Sequence, residues 1–329
     1  MQRNEKVDLY KGVLMFGVIW GHMITNLLAG DDNNIGIHLI VRTYDMPMFM
    51  LLSGYFLAFS MNRKNWGNLL KDRCIRVMIP TLFWSILIAP KSPFNALYFL
   101  YAIFFSSLLI ATIGKCIPSV AIQIGFIIII SVILNFTPYS LWNLSYLFPF
   151  FAAGYLYNIL NLHIKNKFYW LILWVCALCF WKDHYCIWET GTFIKSINIY
   201  HILIIIYRYS IAVFGIFSFA KICDIYYNFY SKKKSFIYNT LVKAGKETLL
   251  IYILQDIILF KFINLGMNYI VRHLTYNPFN YNNLFLGYVI APVGSFLLIV
   301  VLLFVSTIVK RYKAGMIIFG IPFPKNQSK

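Results

Sequence analysis

Apolar runs of about twenty residues, cut by short gaps that collect charge, proline and glycine, make up most of this chain. A hydrocarbon core about 30 Å thick is crossed by roughly 20 residues of helix, so the runs predict membrane-spanning helices. Ten are expected, near 9–28, 37–60, 75–89, 94–113, 118–135, 141–160, 168–181, 198–220, 247–270 and 284–309. No internal repeat interrupts the series, and the gaps are short. The expected fold class is therefore all-α: a polytopic membrane helix bundle forming a single domain over 1–329. A short basic tail is expected at 310–329, with no fused soluble domain.

Composition agrees with the pattern. Hydrophobic residues make up 60% of the 329 and charged residues 12%, with mean hydropathy +0.70. A soluble domain carries about a quarter of its residues charged. The net charge of +18 falls in the gaps between apolar runs. It is not interleaved with base-stacking aromatics, which argues against a nucleic-acid partner. With the N-terminus placed inside, 22 of the 29 Lys and Arg residues lie in inner segments and five in outer ones. This positive-inside bias predicts that both termini are cytoplasmic and that the chain is a multi-pass protein of the cytoplasmic (inner) membrane. The run Ser231-Lys232-Lys233-Lys234-Ser235 reads as a topology anchor near anionic lipid.

The first run keeps its polar residues on one face. Asp8, Lys11, His22 and Asn26 recur at helical spacing, and the eleven steps from Lys11 to His22 return to nearly the same angle. The rise between them is roughly 16 Å, from the inner boundary past the midplane. Ionisable groups at that depth mark function or a polar helix–helix contact, and both readings are open. The His22 that interrupts this run, and the lack of a small-residue cleavage site, identify a retained span in place of a signal peptide.

Three other places depart from membrane filler. Lys71, Arg73 and Arg76 sit in the inner loop after the second run, with Pro80 just beyond. Arginines three apart share a helical face and present planar forks suited to phosphate, although positive-inside anchoring accounts for the same charges. Arg42 and Asp45 lie about one turn apart before Pro47, as a structural pair or part of a polar cavity. Arg208 and Asp256 lie deep in later runs, where Asp256 can neutralise Arg208 or pair with Lys261. Trp142, Tyr146, Tyr155 and Tyr157 read more readily as interfacial aromatics than as a substrate platform. The Cys176/Cys179 pair lies inside an apolar stretch without a second pair and reads as packing; no metal site or disulfide framework is legible.

Several of these segments together resemble the integral-membrane acyltransferases of acyltransferase family 3, especially the sugar O-acetyltransferase branch. Val7-Asp8-Leu9-Tyr10-Lys11-Gly12 followed by Gly21-His22 is similar to that family's first-helix signature. Met46-Pro47-Met48-Phe49-Met50-Leu51-Leu52-Ser53-Gly54-Tyr55-Phe56 resembles its second-helix segment. Arg73-Cys74-Ile75-Arg76 with Pro80 resembles its cytoplasmic arginine pair. Leu141-Trp142-Asn143-Leu144 and Gly245-Lys246-Glu247-Thr248-Leu249-Leu250-Ile251-Tyr252 resemble later segments. Two positions depart from the branch: Asp45 and Gln255 stand where histidines are often found.

The resemblance implies transfer of an acetyl group from cytoplasmic acetyl-CoA to a carbohydrate hydroxyl on a surface polysaccharide or lipid-linked glycan. Acetyl-CoA is then a cosubstrate, with no bound cofactor. The implied donor contacts are Arg73, Arg76 and Lys71. His22 is the implied acid/base group, Lys11 and Asp8 position the donor or stabilise developing charge, and Asp45 orients the acceptor or an imidazolium. Ser53, Trp142, Tyr146 and Arg208 are the acceptor-side candidates. A rival reading, a multi-span transporter or flippase of a lipid-linked sugar, predicts repeat symmetry between halves.

Overall fold

Proline and glycine placement explains how the apolar runs become helices. In a computed structural model, residues 4–27, 36–135, 143–162, 168–181, 199–259 and 285–321 are described. Among the described residues the regular elements are helical throughout. In chain order they are α1 (Glu5–Leu27), α2 (Gly36–Arg42), α3 (Asp45–Arg63), α4 (Trp66–Arg73) and α5 (Ile79–Ile88). Then follow α6 (Tyr98–Cys116), α7 (Val120–Asn135), α8 (Leu144–Ile159), α9 (Tyr169–Leu178) and α10 (Ile199–Tyr230). The last are α11 (Phe236–Lys246), α12 (Thr248–Ile257), α13 (Ala291–Val309) and α14 (Lys313–Ile318). Two π-helical turns, Cys74–Met78 and Leu286–Ile290, lead directly into α5 and α13.

Helix is found within each of the ten expected runs. Four stretches are long and apolar enough to cross a bilayer by length and composition: Glu5–Leu27, Tyr98–Cys116, Ile202–Tyr230 and Leu286–Val309. Shorter apolar helices, Val120–Leu134, Tyr169–Leu178 and Thr248–Ile257, accompany them. The chain is a multi-pass membrane protein.

The second expected run differs from its prediction by breaking in two at Thr43 and Tyr44. Pro47 has no N–H to give the Thr43 carbonyl, and its ring crowds that carbonyl, so the helix running in from α2 loses a bond there and breaks. The Thr43 hydroxyl instead donates to the Ile40 carbonyl at 2.7 Å, and α3 restarts at Asp45. Helix α10 is longer than expected, with 32 residues. That is roughly 48 Å of helix, which carries its Asp224 end past any hydrocarbon core.

The residues divide into two compact units assembled from separate stretches of sequence. The first comprises Met1–Asp45, Asn166–Asp183 and Val213–Arg311, and so holds α1, α2, α9, the later part of α10, and α11 to α13. The second comprises Met46–Lys165, His184–Ala212 and Tyr312–Lys329.

Among the described residues, each unit has a crossing at which glycines let two helix backbones meet. In the first, α1 lies against α11 so closely that a Cβ on Gly12 would overlap the Leu241 carbonyl oxygen. A Cβ on Gly245 would overlap the Asp8 carbonyl and lie 2.9 Å from the Gly12 nitrogen. Leu9, Tyr238, Leu241 and Val242 close over this crossing as a buried cluster. In the second unit, α3 meets α8 in the same way, with Gly54 against the Phe151 carbonyl and Gly154 against the Leu51 carbonyl. Small residues at such crossings let two backbones approach where lipid supplies no hydrophobic drive between helices.

Replacing Gly12 or Gly54 with Ala forces backbone, not a flexible side chain, to move. Each substitution is expected to cost about 1–3 kcal/mol, read as a lowered unfolding temperature in detergent. Gly125→Ala in α7, where an added Cβ meets nothing within 4 Å, is the matched control and is expected to leave stability unchanged or raised. Equal effects at Gly12 and Gly125 would exclude close crossing at Gly12.

Candidate active site

Helix α1 is unbroken from Glu5 to Leu27, so the polar stripe keeps its helical register. Asp8 is 4% exposed and Asn26 3%, while Lys11 and His22 are half-buried. The stripe is thus turned into protein, away from a lipid-facing surface. Asn26 donates from Nδ2 to the His22 carbonyl at 2.7 Å, closing the stripe's far end. Helix α12 also packs on α1 and brings a fully buried Gln255, whose amide donates to the Asp256 carboxylate at 3.2 Å.

The other end of α1 is clamped by polar contacts. The Tyr238 hydroxyl donates to Glu5 at 2.7 Å, and the Tyr10 hydroxyl donates to Asp224 near the end of α10. Lys6 completes this group with its ammonium 2.8 Å from the same Asp224 carboxylate. These contacts resist rotation and sliding of α1, and so set where Lys11 and His22 point. Burial and the Glu5 carboxylate both raise the pKa of the Tyr238 phenol, keeping it a neutral donor.

In the second unit, the arginine pair has a local cause for its shape. Pro80 stands four residues after Arg76 and cannot donate to the Arg76 carbonyl, which its ring also crowds. The backbone widens there, and the Ile79 N–H reaches back five residues to Cys74. The result is the π-helical turn Cys74–Met78, a feature common at functional sites. Arg73 closes α4 immediately before this turn, and Arg76 stands within it. Gly320, at φ +62°, completes the fit by bringing its backbone against the Arg76 carbonyl, where a Cβ would clash.

Arg73 is half-buried, and burial followed by the Arg76 charge pushes its pKa down to about 10. Among the described residues no carboxylate pairs with it. Asp72 is engaged elsewhere, by Lys64 and by the Arg76 Nε at 4.0 Å. Burial, then Arg76 and Arg73, lower the pKa of Lys64 as well. Lys71, the remaining donor-side candidate, is exposed. The segment from Lys64 to Arg76 therefore concentrates cations around one shared acid, an arrangement that a phosphate-bearing ligand relieves.

Among the acceptor-side candidates, Arg208 and Tyr146 come together. The guanidinium carbon of Arg208, which is 3% exposed, lies 5.5 Å from the Tyr146 ring centroid. Tyr209 packs on Tyr146 and donates to the Ser145 carbonyl at 3.0 Å. Tyr146 and Tyr155 are buried in protein, so neither ring faces lipid. Tyr155 gives its hydroxyl to Gln123 at 3.0 Å. Ser53 is half-buried beside the Gly54 crossing. Asp45 is buried at the start of α3, where the helix N-terminus favours a carboxylate. Trp142 and Lys261 lie outside the described residues.

The "Acyltransferase domain" model of acyltransferase family 3 matches residues 4–309. The chain belongs to that family. Among curated proteins it is similar to the nodulation protein NolL of Mesorhizobium japonicum, 25% identical over 203 residues, covering 53% of this chain and 52% of that protein. It is also similar to NolL of Sinorhizobium fredii, 29% identical over 89 residues, covering 26% of this chain and 24% of that protein. The chain thus spans about half or less of the length of these relatives. No solved structure matches it. For this member of acyltransferase family 3, sequence reasoning missed Asp224, Tyr238 and Asp72. A lone acid at the end of a long helix carries no periodic signal, and its partners lie far away in sequence.

Replacing Asp72 with Asn removes the counter-charge shared by Lys64 and Arg76. Because Lys64 is 38% and Arg76 49% exposed, the expected cost is at most about 1 kcal/mol at low salt. It shrinks in 1 M salt, where the screening length falls to about 3 Å. An unfolding-temperature change independent of salt would show that Asp72 acts by packing.

Proposed function

We propose that this protein is a membrane O-acyltransferase that moves an acetyl group from cytoplasmic acetyl-CoA to a hydroxyl of a surface polysaccharide or its lipid-linked precursor. The inward-facing polar stripe of α1, in a chain belonging to an acyltransferase family, is the observation that carries this reading. A helix that buries Asp8 and half-buries Lys11 and His22 gives up favourable lipid-facing surface, which chemistry explains better than anchoring.

The roles follow from side-chain chemistry. Arg73, Arg76 and Lys71 take the phosphates of the donor, two of them through forked guanidinium donors. His22 accepts the proton of the acceptor hydroxyl as that oxygen attacks the thioester carbonyl carbon. The new C–O bond forms, the C–S bond breaks, and the coenzyme A thiolate leaves and takes up the proton from the imidazolium. Lys11, with Asp8, lies roughly 16 Å before His22 along α1 and positions the arm of the donor on its way to the reacting centre. Asp45 orients the acceptor or the imidazolium, and Ser53, Trp142, Tyr146 and Arg208 contact the sugar. With both termini cytoplasmic, the donor enters from the side that carries the basic loops.

His22→Ala is expected to abolish ester formation, at least a hundredfold loss, while protein level stays normal. The readout is the O-acetyl signal of surface glycan in NMR, compared between the variant and the parent strain. Normal acetylation at normal protein level overturns the assignment of His22.

Arg73→Gln combined with Arg76→Gln is expected to weaken coenzyme A binding in detergent by roughly 10- to 100-fold, the loss of one or two charge-assisted contacts. Unchanged affinity would make the pair a topology anchor.

A further inference from the structure

Away from the stripe and the arginine pair, the first unit has a cavity of about 400 Å³ between α11 and the end of α13. Its polar side carries Lys243, Lys246 and Lys310. Lys310 pairs with Glu247, to which the Ser306 hydroxyl also donates at 3.4 Å, so this acid is committed within the wall. Lys243 and Lys246, both exposed and three residues apart in the last turn of α11, add two further cationic charges. The threonine hydroxyls of residues 240 and 307 line the same space.

Towards the other end of the same two helices the lining of the cavity is apolar. Phe236 and Phe304 line it while each remaining 68% exposed, on a protein whose outer surface faces lipid. Depth is set by the span that ends here. Leu286–Val309 contains 24 residues, roughly 36 Å of helix against a core of about 30 Å, so Lys310 lies at the headgroup layer. A cationic head and a lipid-facing apolar wall at that level match an amphiphile with an anionic phosphate. A fully water-soluble phosphate compound has no use for Phe304.

We infer that this cavity is a binding site for one anionic glycerophospholipid. Its phosphate is held by Lys243, Lys246 and Lys310, and its acyl chains lie along Phe304 and its neighbours on α13. Because α11 is the helix that meets α1 at Gly12, the bound lipid braces the helix that supports the polar stripe. The site is independent of the proposed acyl transfer, and its test reads binding, not turnover.

The full-length protein, purified in detergent and stripped of lipid, is titrated with phosphatidylglycerol and, separately, phosphatidylcholine of the same chains, with native mass spectrometry counting bound lipid. One phosphatidylglycerol is expected to bind in preference to phosphatidylcholine. Lys243→Gln with Lys246→Gln is expected to weaken it roughly 30-fold, about a factor of five per lysine. Lys232→Gln with Lys233→Gln, which removes the same charge from the neighbouring loop, should leave binding intact. Equal binding of the two lipids, or equal loss in both double variants, would reduce the effect to diffuse surface charge and overturn the site. Competition by coenzyme A or inorganic phosphate that vanishes in Lys243→Gln with Lys246→Gln would assign the cavity to a soluble phosphate and equally overturn it.

Discussion

Contact between helix backbones at glycine is the constraint on which the rest of this structure depends. Where two helices meet backbone to backbone, van der Waals contact extends along the whole crossing. At the α1–α11 crossing the approach is reciprocal. Gly12 admits the Leu241 carbonyl, and Gly245 admits the Asp8 carbonyl. A single glycine would allow α1 to roll about the contact, whereas two opposed ones fix its rotation. Because α1 is unbroken, fixing its rotation at Gly12 also fixes the direction of Lys11 and of His22 roughly 16 Å further along. Packing at one end of the helix therefore sets side-chain direction near the other.

Rotation is one freedom and sliding is another. The bonds from Glu5 to Tyr238 and from Lys6 and Tyr10 to Asp224 lie beyond the apolar part of α1 and hold it along its axis. Each joins α1 to a different helix, α11 in the first case and α10 in the second. The arginine segment of the other unit obeys the opposite rule. There Pro80 removes a donor and the backbone widens into a π-helical turn, so the local geometry follows from one missing hydrogen bond. Chemical groups are set on a straight, clamped helix in one case and on a deliberately distorted turn in the other.

Element existence was legible because spanning runs are long and strongly apolar, and helix occurs within each of the ten. The break at Thr43 and the turn at Cys74 were not read, though Pro47 and Pro80 stand in plain view. A proline's effect on the carbonyl four residues back depends on whether the chain restarts, as after Thr43, or stretches, as after Arg76, and tertiary packing decides which. Gly320 against the Arg76 carbonyl is such packing, more than 240 residues away in sequence. The stripe of α1 was legible as periodicity, and its burial agrees with that reading. The partners that hold it, Asp224 and Tyr238, sit on helices whose register against α1 no local pattern encodes.

The segment Val7–Gly12 can now be divided by what each residue does. Leu9 is fully buried in the cluster with Tyr238 and Leu241, Tyr10 reaches Asp224, and Gly12 makes the crossing. Folding accounts for those three, through packing at Leu9 and Gly12 and a hydrogen bond at Tyr10. Asp8 contributes its backbone carbonyl to Gly245, a contact any residue could make, yet it also buries a carboxylate. Lys11 follows it three positions later on the same face of the helix. Charges at that site are costly to bury. The shape of this segment is thus set by its packing residues, while its charges continue along one face of the helix to His22.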